Sequence, residues 1–280
     1  MPVLRRQVLI STELDLHGER LSRHELWGLF SSLPKTIVLC DQHDLASESP
    51  GKAENLDVAQ LDSGEWAIVA DVTIDDAATL TRRGGFSMSW MTDAYTLHPD
   101  RAADVLILFN PRLFHREFGI SFTGLSNERT NIVARELKQK GFELETAVLV
   151  VKFLTAAYLA GFVGKAGADH YDKLCKKLSS LRSGLINQAQ PAAVQFLVPR
   201  HLNALDADVM VEVPEALVDN LRSGSLSFED AMRIAERVPY ATTAKKIVVR
   251  TTGNPPHWQL SHYEKESGVM VRIKQEAGFE

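Results

Sequence analysis

A serine and a histidine on separate short strands could together supply a nucleophile and its general base. Ser87 lies within residues 84–90, GGFSMSW, between a glycine pair and an aromatic residue. His43 follows the apolar residues 37–40, IVLC. An imidazole near neutral pH can accept a hydroxyl proton and return it to a leaving amine. The two residues therefore predict nucleophilic acyl transfer if folding brings their side chains together.

Two neighbouring residues offer alternative nucleophiles. Ser89 would share a strand face with Ser87, because side chains alternate along a strand with a period of two. Cys40 precedes His43, but a cysteine on an apolar strand usually packs in the core. Cys40 and Cys175 are the only cysteines, and their separation indicates neither a disulfide framework nor a zinc site. We therefore expect a reducing compartment and no bound metal.

Further motifs accompany the histidine and the serine in a definite order. Residues 15–19 read DLHGE, residues 50–52 read PGK, and residues 104–111 read DVLILFNP. Together with His43 and the segment 84–90, they resemble the motifs of the prohead proteases of tailed bacteriophages. This family shares its fold with the herpesvirus assembly protease. Its corresponding motifs are an early Asp-x-x-Gly-Asp turn, a loop into the next strand, Ser-x-Gly-Phe, and Glu-Val-Ser-Leu-Val-x-x-Pro.

The resemblance runs from about Ser11 to Pro111 and has three departures. Ser89, Asp104 and Leu106 stand where the family has glycine, glutamate and serine. These departures leave open a second function, in which the N-terminal domain is an inactive assembly or binding module and recognition lies in the C-terminal domain.

The resemblance implies a role for each residue of a catalytic triad. Ser87 matches the serine of Ser-x-Gly-Phe, and His43 would be its base. Asp104, at the family's acidic position, would orient His43 and stabilise its protonated form. His115 and His98 are alternatives for this third place, because the herpesvirus relatives use a second histidine there.

The resemblance also implies the substrates and the surroundings of the reaction. Arg112 occupies the place of an arginine loop that stabilises the oxyanion in the herpesvirus relatives, and such donors are worth about 3 to 4 kcal/mol each. The expected activity is that of a serine endopeptidase without a cofactor. It would act on capsid or scaffold proteins of a phage, or on a regulated cellular target. A homodimer in the cytoplasm is expected.

Composition narrows the class of protein. The 280 residues carry a net charge of −5 and are 45% hydrophobic, which favours a soluble globular chain and gives no electrostatic reason to expect nucleic-acid binding. We expect no secretory signal at the N-terminus. The apolar segment 147–164 contains Lys152, and a charge is costly inside a membrane. A buried helix is therefore expected there rather than a membrane anchor.

The pattern of the chain predicts an α+β protein with two domains. Residues 1–125 would form a mainly β barrel of the prohead and herpesvirus protease type with a few helices, and residues 126–280 an α+β domain. In the first domain, Ser22 and Glu25 have capping-box spacing, and Ser63-Gly64 would form the turn of a hairpin. The other elements expected there are strands over 3–11, 36–41, 53–62, 66–74, 86–90 and 105–109 and a short helix over 75–83.

The second domain is predicted to begin with helices and to end with a mixture of strands and helices. The expected helices cover 127–139, 145–163, 169–185, 215–222 and 228–237, the last with Ser227 as its N-cap. The expected strands cover 194–198, 209–213, 246–251, 258–264 and 269–274.

Overall fold

The structure is a computed structural model. It describes residues 3–14, 20–39, 51–74, 88–140, 146–163, 168–238, 244–265 and 270–272. Within these ranges the protein is a mixed α+β chain with two sheets and seven α-helices. The predicted α+β class is therefore confirmed. The predicted helix over 75–83 and the motif at 15–19 lie outside the described residues, as do residues 40–41 and 86–87 of two predicted strands.

The first sheet has four antiparallel strands in the order β1-β4-β3-β2. Its strands are β1 (Val3–Ser11), β2 (Ile37–Val38), β3 (Gly51–Gln60) and β4 (Trp66–Ile74). The predicted hairpin between β3 and β4 is confirmed. Gly64 has a φ of +84°, and its N–H donates to the carbonyl of Leu61 at 2.9 Å. Glycine suits this position because it adopts positive φ without steric cost.

Helix α1 (Arg23–Ser32) shows the predicted capping box. The Glu25 N–H donates to Ser22 Oγ at 3.2 Å, and the Ser22 N–H donates to Glu25 Oε2 at 2.7 Å. Two N–H groups that a helix start leaves unpaired are thereby satisfied. Leu26 of this helix is fully buried against Ile10 and Ile68 of the first sheet.

The second sheet has nine strands in the order β13-β12-β11-β10-β9-β8-β6-β7-β5. They are β5 (Met88–Tyr95), β6 (Val105–Phe109), β7 (Ile132–Lys140), β8 (Ala147–Phe153), β9 (Ala192–Val198), β10 (Asp208–Pro214), β11 (Ala244–Thr252), β12 (His257–Lys265) and β13 (Met270–Arg272). The pairs β6–β7, β8–β9 and β10–β11 are parallel. Because parallel neighbours need a crossover connection, the chain places helices between the members of each pair.

These crossover helices cover one face of the second sheet. They are α2 (Arg116–Ile120), α3 (Ala156–Val163), α4 (Ala168–Ser179), α5 (Leu181–Gly184), α6 (Val218–Ser223) and α7 (Phe228–Glu236), with short 3₁₀ turns at Ser121–Leu125, Arg200–Leu202 and Glu215–Leu217. Phe153 and Phe196 of the sheet meet Phe162 and Phe228 of the helices, with ring centroids 5.1 to 6.4 Å apart. Burying each such ring stabilises the fold by about 1.5 to 3 kcal/mol.

The chain divides into two compact units. The first comprises Met1–Met91 and Lys138–Leu144, and the second comprises Thr92–Leu137 and Glu145–Glu280. The boundary predicted near residue 125 falls inside the second unit. There β6, which the prediction gave to the first domain, pairs with β7 and β8.

The helix predicted over residues 127–139 is wrong, because this segment contains β7 instead. Ile132, Ala134 and Glu136 are fully buried, whereas Val133 and Arg135 between them are partly exposed. This period of two is that of a strand. Alanine, arginine, glutamate and leucine favour helices, but pairing with β6 over five residues overrides that preference.

The helix predicted over residues 145–163 is also wrong in its first half. Residues 147–153 form β8, and α3 begins only at Ala156. A continuous apolar run is compatible with a buried strand or a buried helix, and periodicity does not separate them. Within the described residues, no helix is long and apolar enough to span a membrane.

The remaining predictions for the second half agree with the structure, with one exception. The strands β9 to β13 and the helices α4 to α7 occupy the predicted segments to within a few residues. Ser227 does precede α7, but its side chain makes no capping hydrogen bond. Its carbonyl instead accepts the Trp258 Nε1–H at 2.7 Å.

Candidate functional site

The two central residues of the predicted acyl transfer, Ser87 and His43, lie outside the described residues. Ser89 belongs to β5, where the backbone but not its side chain is described. The geometry of the candidate site therefore begins with Asp104 and with the alternatives His98 and His115.

Asp104 connects three segments of the second sheet at the ends of their strands. Its Oδ2 accepts the Asn131 N–H at 2.8 Å, and its Oδ1 accepts the Thr155 hydroxyl at 3.0 Å. Its backbone carbonyl accepts the Leu154 N–H at 2.9 Å. The residue thereby fixes the start of β6 to the start of β7 and to the end of β8. Among the described residues, no histidine side chain forms a hydrogen bond with this carboxylate.

Asn131 organises the loop that leads to Asp104, and the sequence analysis missed it. Its side chain is fully buried. Its Nδ2 donates to the carbonyls of Arg101, His98 and Ala102 at 2.8, 3.2 and 3.3 Å. Its Oδ1 accepts the Thr96 hydroxyl at 2.9 Å. A single asparagine inside a segment predicted to be helical carries no signal of such a role.

The two alternative histidines form no hydrogen bond with the carboxylate of Asp104 within the described residues. His98 is half-buried, and its N–H donates to Thr96 Oγ1 at 3.1 Å. His115 is exposed before the first residue of α2, where its N–H donates to the carbonyl of Gly184 at 2.7 Å. Within the described part of the chain, neither imidazole has a hydrogen bond. Each residue is thus held by its backbone, and its imidazole keeps both nitrogens for other partners.

Arg112 lies in the tight turn that follows β6. Its N–H donates to Asn110 Oδ1 at 2.9 Å, and the carbonyl of Asn110 accepts the N–H groups of Leu113 and Phe114 at 3.0 and 2.9 Å. This is the Asx-turn arrangement that asparagine favours. The turn fixes the backbone of Arg112 at the end of β6.

A second cluster of hydrogen-bonded polar side chains surrounds Glu136 of β7, and no sequence pattern indicated it. The carboxylate is fully buried. Tyr95 Oη donates to Glu136 Oε1 at 2.6 Å, and Arg116 Nη2 donates to Oε2 at 3.2 Å. Burial and this hydrogen bond raise the pKa of Tyr95 to about 12. Because an unpaired buried carboxylate is costly, the cluster holds β5, β7 and α2 together.

The first unit contains a shallow cavity of about 320 Å³ beside Asp71. The carboxylate of Asp71 accepts the Arg6 N–H at 3.0 Å and the Asn55 Nδ2–H at 3.1 Å. Arg6 and Asn55 both have positive φ, at 48° and 53°. The hydrogen bonds, first from Asn55 and then from Arg6, lower the pKa of Asp71. Since both carboxylate oxygens hold neighbouring strands, Asp71 stabilises two irregular strand positions.

Comparisons with known proteins found no match for this chain. No protein-family model matches the chain, no curated protein matches it, and no solved structure matches it. Across the described residues, no group of three metal-ligating side chains comes together.

Proposed function

We propose that the chain is a serine endopeptidase in which Ser87 is the nucleophile and His43 is the general base. The observation that carries this proposal is the order of the family-like motifs along the chain before and after the hairpin of β3 and β4. His43 precedes β3, the PGK motif opens β3 at Gly51, and Ser87 precedes β5 directly. The sequence range of the first unit includes both Ser87 and His43.

The geometry at Gly51 supports the importance of this motif. A Cβ at Gly51 would lie 2.0 Å from the carbonyl oxygen of Thr73 in β4. Only glycine therefore permits this close approach of β3 to β4. The Leu39 N–H also donates to the carbonyl of Gly51 at 3.0 Å. This hydrogen bond joins the two described residues that flank the segment with His43 in the sequence.

The proposed chemistry needs only these two side chains and a water molecule. Ser87 Oγ attacks the carbonyl carbon of the scissile peptide bond while His43 accepts the hydroxyl proton. The C–N bond then breaks, and His43 gives that proton to the leaving amine, which leaves an ester on Ser87. Water, deprotonated by His43, hydrolyses the ester and restores the serine. We assign Asp104 to the fold, since each of its carboxylate oxygens accepts a hydrogen bond from another segment.

Covalent labelling tests this proposal directly. The protein is treated with a fluorophosphonate, and the adduct is located by peptide mass spectrometry. We expect the adduct on Ser87 and a labelling rate that falls at least about a thousandfold in His43→Ala. Ser89→Ala is the matched control and is expected to label like the parent protein. An adduct that persists in Ser87→Ala would contradict the assignment of the nucleophile.

A second function is favoured by the hydrogen bonds of Asp104. If the family's acidic position serves the fold, the chain could be an inactive assembly or binding module of the same architecture. That function predicts no adduct on any serine although circular dichroism and thermal unfolding show a folded protein. The labelling experiment therefore separates the two functions.

A further inference from the structure

The first turn of α4 contacts a neighbouring turn through one imidazole. His170 lies in the first turn of α4, and Asn127 lies in the turn that precedes β7. The distance between Asn127 Nδ2 and His170 Nδ1 is 3.4 Å, a long hydrogen bond. The helix is also joined to its surroundings by two other hydrogen bonds, from the Tyr171 hydroxyl to the carbonyl of Leu221 at 2.8 Å and from the Ser179 hydroxyl to Asp219 Oδ1 at 2.7 Å. Apolar packing of residues farther along, among them Leu174 and Leu178, adds to these bonds.

The orientation of the Asn127 amide is set by its other contacts. Its Oδ1 accepts the N–H groups of Arg129 and Thr130 at 2.8 and 2.9 Å. Rotating the amide by 180° would turn its NH₂ group against these two donors. Nδ2 must therefore face His170, and His170 Nδ1 must accept a hydrogen bond from it. An accepting Nδ1 carries no proton, so the imidazole is neutral with its proton on Nε2.

The opposite side of the imidazole is enclosed by Tyr158 of α3. The two rings are nearly perpendicular, at 89°, with centroids 5.4 Å apart. His170 Nε2 is buried and has no hydrogen-bond partner among the described residues. The described residues around the site therefore offer a protonated imidazole no acceptor on either nitrogen, and a second proton on Nδ1 would face the NH₂ group of Asn127.

We propose that His170 and Asn127 form a pH-sensitive latch, which holds the start of α4 to the turn before β7 while the imidazole is neutral and releases it on protonation. The proposal concerns the second unit alone and does not depend on the proposed peptidase activity. At acidic pH the imidazole of His170 gains a proton, and the contact between α4 and that turn is lost.

The charged and titratable groups around the imidazole act in the same direction. Burial, and then the positive charge of Lys173 one turn along α4, lower the pKa of His170. Across the latch, Arg101 Nη1 donates to the carbonyl of Asn127 at 2.8 Å and adds a second positive charge. From α3, Tyr158 stays neutral, because burial raises the pKa of its phenol. Asp104, whose carboxylate acts electrostatically on Tyr158, is hydrogen-bonded to other groups.

Imidazole ¹H–¹⁵N spectra of the full chain test the latch. We expect the neutral Nε2–H form of His170 at neutral pH and a pKa below its ordinary value of 6.5. Asn127→Asp keeps the acceptor for Arg129 and Thr130 but places a carboxylate against Nδ1. This variant is expected to raise the pKa of His170 by about one unit or more and to move the proton to Nδ1.

Stability against pH gives the second readout. Since the folded protein binds the His170 proton more weakly than the unfolded chain, the latch contribution to Tm is full above pH 6.5 and falls as the pH is lowered. His170→Gln, whose amide oxygen can still accept from Asn127, should lose this fall, and Asn127→Asp should reverse it. A His170 that titrates at 6.5 or above in the parent protein, or a fall that is unchanged in both variants, would overturn the proposal.

Discussion

Replacing Asp104 separates a role in the fold from a role in catalysis. In Asp104→Ala, the buried Asn131 N–H and the Thr155 hydroxyl both lose an ionised acceptor. Each hydrogen bond to a charged group contributes about 1.5 to 3 kcal/mol, so we expect the free energy of unfolding to fall by about 3 to 6 kcal/mol. In Asp104→Asn, the amide oxygen can keep the bond from Asn131, and the expected loss is about 1 to 2 kcal/mol.

The assay compares urea unfolding with fluorophosphonate labelling in the same samples. Asp104→Asn should remain folded and label Ser87 at the rate of the parent protein, because we assign the carboxylate, which accepts hydrogen bonds from Asn131 and Thr155, to the fold. The amide of a triad carboxylate, in contrast, lowers activity by about 10⁴-fold through the wrong imidazole tautomer. A loss of that size in folded Asp104→Asn would refute the structural role. A cost below about 1 kcal/mol in Asp104→Ala would refute the energetic reasoning.

Three further predictions follow from single contacts. Gly51→Ala should destabilise the first unit by several kcal/mol, because the new Cβ would lie 2.0 Å from a backbone oxygen. Gly28→Ala, where the new Cβ on α1 has open space, should stabilise the unit by about 0.5 to 1 kcal/mol. Chemical unfolding measures both changes. Ser22→Ala should cost about 1 kcal/mol by losing the capping box, and Ser227→Ala, which loses no cap, should cost less in the same assay. The phenol of Tyr95 should titrate near pH 12 by ultraviolet absorbance, with Tyr95→Phe as the blank. Its contribution to stability should be full below pH 10.0 and decline above it. Titration at pH 10.0 would contradict the buried hydrogen bond.

Local signals predicted the elements whose ends are marked by side chains. Ser22 and Glu25 are three residues apart, and the capping box forms where the spacing predicts it. Ser63-Gly64 separates two alternating segments, and the hairpin turns there. These features depend on neighbours within a few residues, which the sequence displays directly. The strands β9 to β12 were predictable for the same reason, because each is a short segment with β-branched or aromatic residues between turn residues.

The candidate site depends on contacts that the sequence does not display. Asp104 stands out in the sequence only through its place in a family-like motif, and its bonds to Asn131 and Thr155 span 27 and 51 residues. The acceptor role of His170 Nδ1 likewise depends on a residue 43 positions away. No periodicity reports such separations, so reasoning from the sequence could not find Asn131 or the latch.

The amino-acid sequence by itself determined the α+β class, the hairpin and the start of α1, since these follow from propensity, turn chemistry and spacing along the chain. Only the tertiary structure decided that residues 132–140 are a strand. Pairing with β6 and burial of alternate side chains outweigh a helical preference of about a few tenths of a kcal/mol per residue. It also decided which side chains meet at Asp104, Glu136 and His170. Such meetings depend on the topology of the nine-stranded sheet, in which sequence neighbours and spatial neighbours differ.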